Sequence, residues 1–127
     1  MLDTDTVSYA LRGQGEVGAR ILEHRPSELC LSAITVAELR YGTARRKSSR
    51  LDQLVENFIG NIAVASFDET CATNFGRIAS ALVEKGTPIG ELDAMIAAHA
   101  MALGVTLVTN NLKHFSRVPG LKLANWF

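Results

Sequence analysis

Short apolar runs alternate with longer helical stretches along the 127-residue chain, and this alternation limits the fold more than any other feature. The predicted strands are a stub at 1–3 and runs at 29–31, 62–65, 105–108 and 121–123, the last at an edge. The predicted helices cover about 5–12, 16–24, 33–45, 48–59, 69–84 and 92–103. Strands that alternate with helices favour a parallel sheet covered on both faces. The prediction is therefore an α/β domain with three layers, α/β/α, and a short, mostly parallel sheet.

Residues typical of helix ends support these boundaries. Ser32 and Asp68 precede two of the helices and are predicted N-caps, because their side-chain oxygens can accept hydrogen bonds from free backbone N–H groups. Gly86 follows the helix that Asp68 precedes, Gly104 follows the helix at 92–103, and both glycines are predicted to end these helices.

The composition restricts the class of protein. Apolar residues make up 47% and charged residues 20%, which indicates one folded domain over residues 1–127. The longest uncharged stretch, 94–111, is interrupted by His99 and Gly104, so no membrane association is expected. Cys30 and Cys71 do not form a disulfide framework, and a cytoplasmic location is predicted.

Glu38 is an acid at a position predicted to face the core. Ile34, Ala37 and Tyr41 mark the predicted inward stripe of its helix, and Glu38 occupies the i+4 position of that stripe. A buried carboxylate without a partner is costly, so Glu38 requires a cation, a proton or a set of hydrogen bonds. The alternative is a capping box, with Thr35 as the N-cap.

Asp93 lies in the first turn of a predicted helix, 92–103, that is apolar on almost every face. Such a helix is buried, so Asp93 is expected to point into the domain or at its rim. The alternative is a stabilising contact with the helix dipole. Glu91 is two residues away and therefore lies on another face, which makes Asp93 the preferred site residue and Glu91 the capping or dipole residue.

Further polar residues follow the predicted strands. Asp3 ends the first stub, and Thr109 and Asn111 end a later strand, so all three are expected at the sheet edge where ligands gather. Capping and turn formation are the alternatives for Asp3 and Asn111. Asp5 is predicted to cap the helix that begins near Thr6. These oxygen ligands suit Mg²⁺ or Mn²⁺ better than zinc, and such ions serve phosphodiester hydrolysis.

The acids occur in segments that resemble the PIN-domain family, and within it the VapC toxins of bacterial toxin–antitoxin pairs. The segments are Met1–Thr4, Ser32–Leu39, Ile89–Ala100, Leu107–Asn111 and Phe115–Leu121, with the tail near Trp126. They cover essentially the whole chain in the family's order. Each segment alone is a weak signal, whereas the ordered set is highly specific.

The resemblance implies a PIN-like nuclease domain that cleaves RNA with Mg²⁺ or Mn²⁺, leaving 5′-phosphate and 3′-hydroxyl ends. It maps the catalytic, metal-binding acids onto Asp3, Glu38 and Asp93. The candidate auxiliary residues are Asp5, Glu91, Thr109 and Asn111. Asn111 occupies the place of a fourth acid in many PIN domains, and Asp5 occupies a place that is usually Asn. The family also implies a homodimer and a VapB-like antitoxin partner.

RNA binding requires local positive charge, because the 13 basic and 13 acidic residues balance. The stretch from 40 to 50 contains five basic residues and no acid, so its members are predicted to hold phosphates. The predicted RNA-binding residues are Arg40, Arg45, Arg46 and Lys47. A solvated helix end is the alternative explanation of this run.

Two other functions fit parts of the sequence. The segment from Asp3 to Val7 matches the first motif of haloacid-dehalogenase-type phosphatases, with Asp3 as the nucleophile. That fold requires a longer apolar strand before the motif and usually a longer chain. The remaining alternative is a non-catalytic interaction module, in which every acid is a helix cap.

Overall fold

The strands form parallel pairs joined through one residue. The computed structural model describes residues 1–127. Its strands are β1 (Cys30–Ser32), β2 (Ala63–Ala65), β3 (Leu107–Val108) and β4 (Leu123–Ala124). β1 pairs with β2 and β3 pairs with β4, both in parallel. Leu2 forms a parallel bridge to Leu31 on one side and to Val108 on the other. The order across the sheet is therefore β2, β1, Leu2, β3, β4.

Seven α-helices accompany these strands. They are α1 (Thr4–Leu11), α2 (Val17–Leu22), α3 (Ala33–Arg46), α4 (Ser49–Gly60), α5 (Glu69–Glu84), α6 (Glu91–Leu103) and α7 (Leu112–Phe115), with a 3₁₀ turn at Pro26–Glu28. The six predicted helices are confirmed to within two residues at each end. α7 and the 3₁₀ turn were not predicted, because segments of three or four residues carry too little periodicity. The predicted strand at 121–123 was wrong in position, since β4 lies at 123–124.

The helices cover both faces of the sheet, which confirms the three-layer α/β/α prediction. On one face, residues of α5, α6 and α7 form a buried cluster with Met1. On the other face, residues of α1, α3 and α4 form a second cluster with Leu2. Met1 and Leu2 enter opposite clusters because successive side chains of an extended strand point to opposite faces. α6 is buried at Ala94 and from 96 to 100, as its apolar sequence predicted.

The strand order defines a crevice at the carboxyl edge of the sheet. From Leu2 the chain proceeds to β1 and β2 on one side and then crosses to β3 and β4 on the other. Ligands of open α/β sheets bind where this order reverses, outside the carboxyl ends of the two central strands. Here those strands are Leu2 and β3. Asp3 and Thr109 are the residues that follow them, and the Asp3 N–H donates to the Val108 carbonyl at 2.9 Å.

Two further sequence expectations concern membranes and cysteines. None of the helices combines the length and apolar character needed to cross a membrane. Both cysteines are free thiols, with Cys71 buried and Cys30 half-buried. The expected absence of a disulfide between them therefore agrees with the structure.

Ser32 links α3 to α6. Its Oγ accepts a hydrogen bond from the Ile34 N–H at 3.0 Å, which confirms Ser32 as the N-cap of α3. The same oxygen lies 2.8 Å from Nδ1 of His99 on α6, and both residues are fully buried. Burial lowers the pKa of His99 and favours the neutral ring. The Ser32 hydroxyl then donates to Nδ1, while Nε2 has no hydrogen-bond partner.

Replacement of Ser32 by Ala is expected to lower the free energy of unfolding by roughly 2 kcal/mol, because both the cap and the bond to His99 are lost. Ser48 provides a matched control, since its Oγ caps α4 by accepting from the Leu51 N–H and has no buried imidazole partner. Ser48→Ala is expected to cost roughly 1 kcal/mol. Urea unfolding of both variants measures the difference. Equal losses would show that the bond to His99 contributes nothing.

Candidate active site

Asp3 joins the first strand residue to α1. Its Oδ1 accepts a hydrogen bond from the Thr4 N–H at 2.8 Å, so Asp3 is the N-cap of α1. The prediction that Asp5 caps this helix was wrong, because the helix begins at Thr4 and places Asp5 in its first turn. The Asp5 Oδ2 instead accepts a hydrogen bond from the Asn110 N–H at 3.2 Å. Both acids are thereby held at the crevice between Leu2 and β3.

Thr109 holds the other oxygen of Asp3. Its hydroxyl donates to Asp3 Oδ2 at 2.8 Å, and its Oγ1 accepts a hydrogen bond from the Asn111 N–H at 3.0 Å. Thr109 is fully buried, and Asp3 is only 4% exposed. The Asp3 carboxylate therefore has a single defined orientation, with each oxygen held by one donor.

Glu38 is positioned by the contact between α3 and α1. The buried stripe of α3 consists of Thr35, Leu39 and Thr43. The predicted stripe was wrong, since Ala37 is exposed and Tyr41 is 70% exposed.

The capping-box alternative for Glu38 was also wrong, because Thr35 lies inside α3 and the cap is Ser32. Glu38 is half-buried beside the inward stripe rather than in it. The Thr4 hydroxyl donates to its Oε1 at 2.7 Å. Thr4 therefore holds Glu38 with its hydroxyl and Asp3 with its backbone N–H.

Asp93 lies in the first turn of α6 and is half-buried. Its Oδ2 is 3.2 Å from Nδ1 of His114 on α7, which in turn is 3.1 Å from Nδ2 of Asn111. Nδ1 donates to Asp93 when it carries a proton and accepts from the Asn111 amide when it does not, so only one of the two hydrogen bonds forms at a time. Glu91 is exposed and lies outside the cleft that Asp93 lines. Of the two acids, only Asp93 faces the other carboxylates.

The acids meet in one cleft of about 330 Å³. It is lined by Asp3, Thr4, Asp5, Ser8, Tyr9, Arg12, Glu38, Asp93 and Asn111. The structure thus brings together the three acids predicted to be catalytic and two of the candidate auxiliary residues, Asp5 and Asn111. Thr109 contacts Asp3 from below the cleft, whereas Glu91 is separate from it.

The carboxylates repel one another in this partly buried site. Burial, together with the charges of Asp5 and Asp93, raises the pKa of Asp3 to about 7, against the lowering effect of the hydrogen bonds from Thr109 and Thr4. Burial also raises the pKa of Glu38, with smaller contributions from Asp93 and Asp5. Ionisation of the full set is therefore unfavourable without a cation, and a divalent cation would relieve the repulsion.

The donor set fits a hydrated, hard divalent ion. No group of three His, Cys, Asp or Glu side chains is arranged as a ready-made metal cluster. Thr4, Thr109 and His114 each contact one of the carboxylates instead. Mg²⁺ does not require such a cage, since it usually keeps several waters and binds through one or two carboxylates together with substrate phosphate. Carboxylate oxygens are the candidate ligands of this cleft, and the raised pKa values of Asp3 and Glu38 match that mode of binding.

Three residues in and directly after α1 line the cleft but were not predicted as site residues. Ser8, Tyr9 and Arg12 line the cleft and follow Asp5 at spacings of three, four and seven residues. These are the spacings of one helix face. The helical periodicity from Asp5 onward would have identified them.

The predicted basic run divides among different surfaces. Arg46 lines a smaller cleft that adjoins the acidic one and shares Thr4 and Glu38 with it. Arg40 forms an ion pair with Glu56 and, together with Lys47, lines a separate depression. Arg45 is exposed. Arg46 is therefore the member of this run that adjoins the cleft of the acids.

Comparison with known proteins agrees with this geometry. The PIN domain matches residues 1–121, and the chain therefore belongs to the PIN-domain family. VapC proteins are among its relatives within that family. It is 37% identical to the tRNA(fMet)-specific endonuclease VapC of Salmonella typhimurium over 127 residues, which are 99% of this chain and 96% of that protein. It is 38% identical to the ribonuclease VapC2 of Haemophilus influenzae (strain Rd), with the same coverage of both chains.

Solved structures of VapBC complexes share the fold. VapBC from Salmonella typhimurium, bound to DNA, matches with a TM-score of 0.91 and 38% identity over 100% of this chain and 97% of that one. VapBC2 from Rickettsia felis, bound to a promoter DNA fragment, matches with a TM-score of 0.89 and 34% identity over 100% of this chain and 98% of that one.

Proposed function

We propose that residues 1–127 form one PIN nuclease domain, a metal-dependent endoribonuclease that acts as the toxin of a VapBC-type toxin–antitoxin pair. The observation that carries the proposal is the convergence of Asp3, Glu38 and Asp93 in one cleft at the reversal of strand order. Relatives named as VapC ribonucleases, at 37–38% identity over 99% of the chain, support it.

Asp3, Glu38 and Asp93 are the residues that would hold a Mg²⁺ or Mn²⁺ ion, with Asp5 and Asn111 beside them. When bound, the ion makes a nucleophile of water at neutral pH and neutralises charge on the phosphate. The side chains of the protein supply position and negative charge. No histidine of the chain is needed as a base in this scheme.

The threonines orient the acids. Thr109 holds Asp3, and Thr4 holds both Asp3 and Glu38, so the two carboxylates keep their orientation when substrate enters. His114 plays the same part for Asp93. Asn111 is neutral where many PIN domains have a fourth acid, but Asp5 adds a carboxylate at a place that is usually Asn, so four carboxylates line the cleft.

The proposed reaction is hydrolysis of an RNA phosphodiester. The oxygen of water adds to phosphorus in line with the bond to the 3′ oxygen, and that bond breaks. One proton of the water goes to solvent, and the 3′ oxygen takes up a proton. The products carry a 5′-phosphate and a 3′-hydroxyl. Arg40, Arg45, Arg46 and Lys47 are the residues proposed to hold phosphates, with Arg46 placed next to the acids.

The proposed setting is the cytoplasm, where a VapB-like antitoxin would block the cleft. The complexes of VapBC proteins that share 34–38% identity with this chain support such a partner. A homodimer is also proposed. Exposed apolar side chains such as Tyr41 and Val83 give the chain surface that suits association with protein.

Incubation of the purified chain with bulk tRNA tests the function. Two relatives are named tRNA(fMet)-specific endonucleases, so initiator tRNA belongs in the substrate set. Cleavage is expected with Mg²⁺ or Mn²⁺, and EDTA is expected to abolish it reversibly. Products should be substrates for a 5′-phosphate-dependent exonuclease. Undiminished cleavage in EDTA would contradict the proposal, as would no cleavage of any RNA by antitoxin-free protein.

The alternatives make different predictions in the same assay. A phosphatase of the haloacid-dehalogenase type would form a phosphoenzyme on Asp3, but the PIN-domain match and the two hydrogen bonds that hold the Asp3 oxygens disfavour it. A non-catalytic module would cleave nothing, and divalent metal would not change its melting temperature.

A further inference from the structure

Arg12 is the only Lys or Arg that lines the acidic cleft. It directly follows α1, and its Nε donates a hydrogen bond to the Ser8 carbonyl at 3.2 Å. Its guanidinium carbon lies 5.6 Å from the centroid of the Tyr9 ring, within the range of a cation–π contact. The side chain is therefore held at the rim by two contacts, neither of which neutralises its charge.

Arg12 forms no ion pair, although four carboxylates line the same cleft. By contrast, Arg25 and Arg40 each pair with a glutamate. No hydrogen bond engages the two terminal nitrogens of Arg12, since only Nε donates. A guanidinium with both terminal nitrogens unengaged presents a planar pair of donors that matches two oxygens of a phosphate.

The second cleft continues from Arg12 away from the acids. It lies between α1 on one side and α3 and α4 on the other, and it shares Thr4, Ser8, Arg12 and Glu38 with the acidic cleft. Arg46 lines its far part and also forms no ion pair. Two unpaired arginines thus flank one continuous groove that starts at the carboxylates.

We propose that Arg12 and Arg46 form a phosphate-binding subsite for the RNA backbone next to the scissile phosphate, in the groove between α1 and α3. This assignment rests on the proposed ribonuclease function. Four carboxylates repel a polyanion, and Arg12 supplies positive charge in the same cleft, in addition to that of a bound cation. Arg12 is a binding residue in this scheme, and the acids carry out the reaction.

The test separates binding from cleavage. A fluorescein-labelled single-stranded RNA is titrated with Asp93→Asn protein in Mg²⁺ at several salt concentrations, with and without Arg12→Ala. Loss of one phosphate contact is expected to weaken affinity about fivefold or more and to reduce the slope of log K against log salt by about 0.7 to 1. Arg12→Lys should recover the slope, since it keeps the charge, but only part of the affinity.

Arg77→Ala is the matched control, because Arg77 is exposed on α5 and lines neither cleft. It is expected to leave affinity and slope within error. In protein with Asp93 intact, Arg12→Ala should raise KM and leave kcat within about twofold, consistent with a role in uniform binding. Arg12 is exposed, so its replacement by Ala or Gln should preserve the melting temperature.

Two results would overturn the subsite. One is an Arg12→Ala protein that binds RNA with the affinity and salt slope of its parent. The other is an equal loss in Arg12→Ala and Arg77→Ala, which would indicate overall charge alone. In both cases metal-dependent cleavage by the unmodified chain would still stand. If the unmodified chain neither binds nor cleaves RNA, the proposed function fails and the subsite fails with it.

Discussion

Replacement of Asp93 by Asn is expected to lower the rate of RNA cleavage by at least about 100-fold, the scale of losing one key electrostatic group. The substitution removes one negative charge from the cleft and preserves the shape of the side chain. The amide oxygen can still accept a hydrogen bond from His114, so the contact between α6 and α7 is kept. Single-turnover cleavage of labelled tRNA at saturating protein measures the effect.

Glu91 supplies the control for this loss. It lies two residues before Asp93 in the same first turn of α6, but it is exposed and outside the cleft. Glu91→Gln makes the same chemical change and should alter the rate by less than about twofold, as a change outside the reacting site. The assignment of Asp93 is wrong if both variants lose activity equally, or if Asp93→Asn retains the parent rate.

The stability of the metal-free protein is expected to fall as pH rises from about 4 to 7. In the native state the pKa of Asp3 is raised from 3.8 to about 7. Between these values the native state binds more protons than the unfolded state, so rising pH favours unfolding. The raised pKa of Glu38 acts in the same direction. For Asp3 this loss of stability would be complete above about pH 7.

The titration of His99 has the opposite effect on the pH dependence of stability, so its contribution must be distinguished from that of Asp3. Its pKa is lowered by burial, so the unfolded state takes up the proton first as pH falls below 6.5, and stability decreases toward acid. The difference between the unmodified chain and Asp3→Asn isolates the carboxylate, because His99 is present in both. Unfolding by urea at pH 5 and pH 8 in EDTA measures it. An equal pH dependence in the two proteins would contradict the assignment.

Divalent metal is expected to reverse the loss of stability that the metal-free protein shows as pH rises. Because a cation stabilises the ionised carboxylates, Mg²⁺ or Mn²⁺ should raise the melting temperature more at pH 8 than at pH 5. The effect should vanish in Asp3→Asn. Sodium chloride at matched ionic strength controls for screening. An unchanged melting temperature over a millimolar titration at pH 8 would exclude metal binding by the native cleft at those concentrations.

The helices were predictable because each has a long periodic pattern and clear end residues. α5 was predicted at its observed bounds, since Asp68 caps it and Gly86, with a φ of 73°, follows its end. The buried helix α6 was predicted from its apolar faces. Met1 and Leu2 were enough to suggest a strand stub, although only Leu2 forms sheet bridges.

The inward face of α3 could not be predicted from hydrophobicity. Its buried stripe includes Thr35 and Thr43, whereas the large aromatic Tyr41 points outward. Polar residues can be buried where neighbours supply hydrogen bonds, as the Arg40 carbonyl does for the Thr43 hydroxyl. The sequence therefore predicted that Glu38 faces the domain interior, but it did so from an incorrect inward stripe of α3. The contact that holds it comes from Thr4 on another helix, which no local pattern reveals.

Contacts between residues of different elements could likewise not be predicted from local sequence. Helical spacing from Asp5 places Arg12 on the face that lines the cleft, but its lack of an ion pair there is seen only in the tertiary structure. The pairing of His114 with Asp93 depends on α7, which has only four residues. Motifs identified the acids, and tertiary structure selected the residues around them.

The bridge at Leu2 has a mechanical consequence. The two halves of the sheet meet only through this residue, and the cleft lies along the seam between them. Glu38 belongs to the helix that follows β1, while Asn111 follows β3 on the other half. Both hydrophobic clusters span this seam, since Leu31 and Val108 belong to one and Cys30 packs against the cluster of Leu107, so their packing opposes separation of the halves. A ligand that contacts both Glu38 and Asn111 in the cleft would therefore also link the two halves of the sheet.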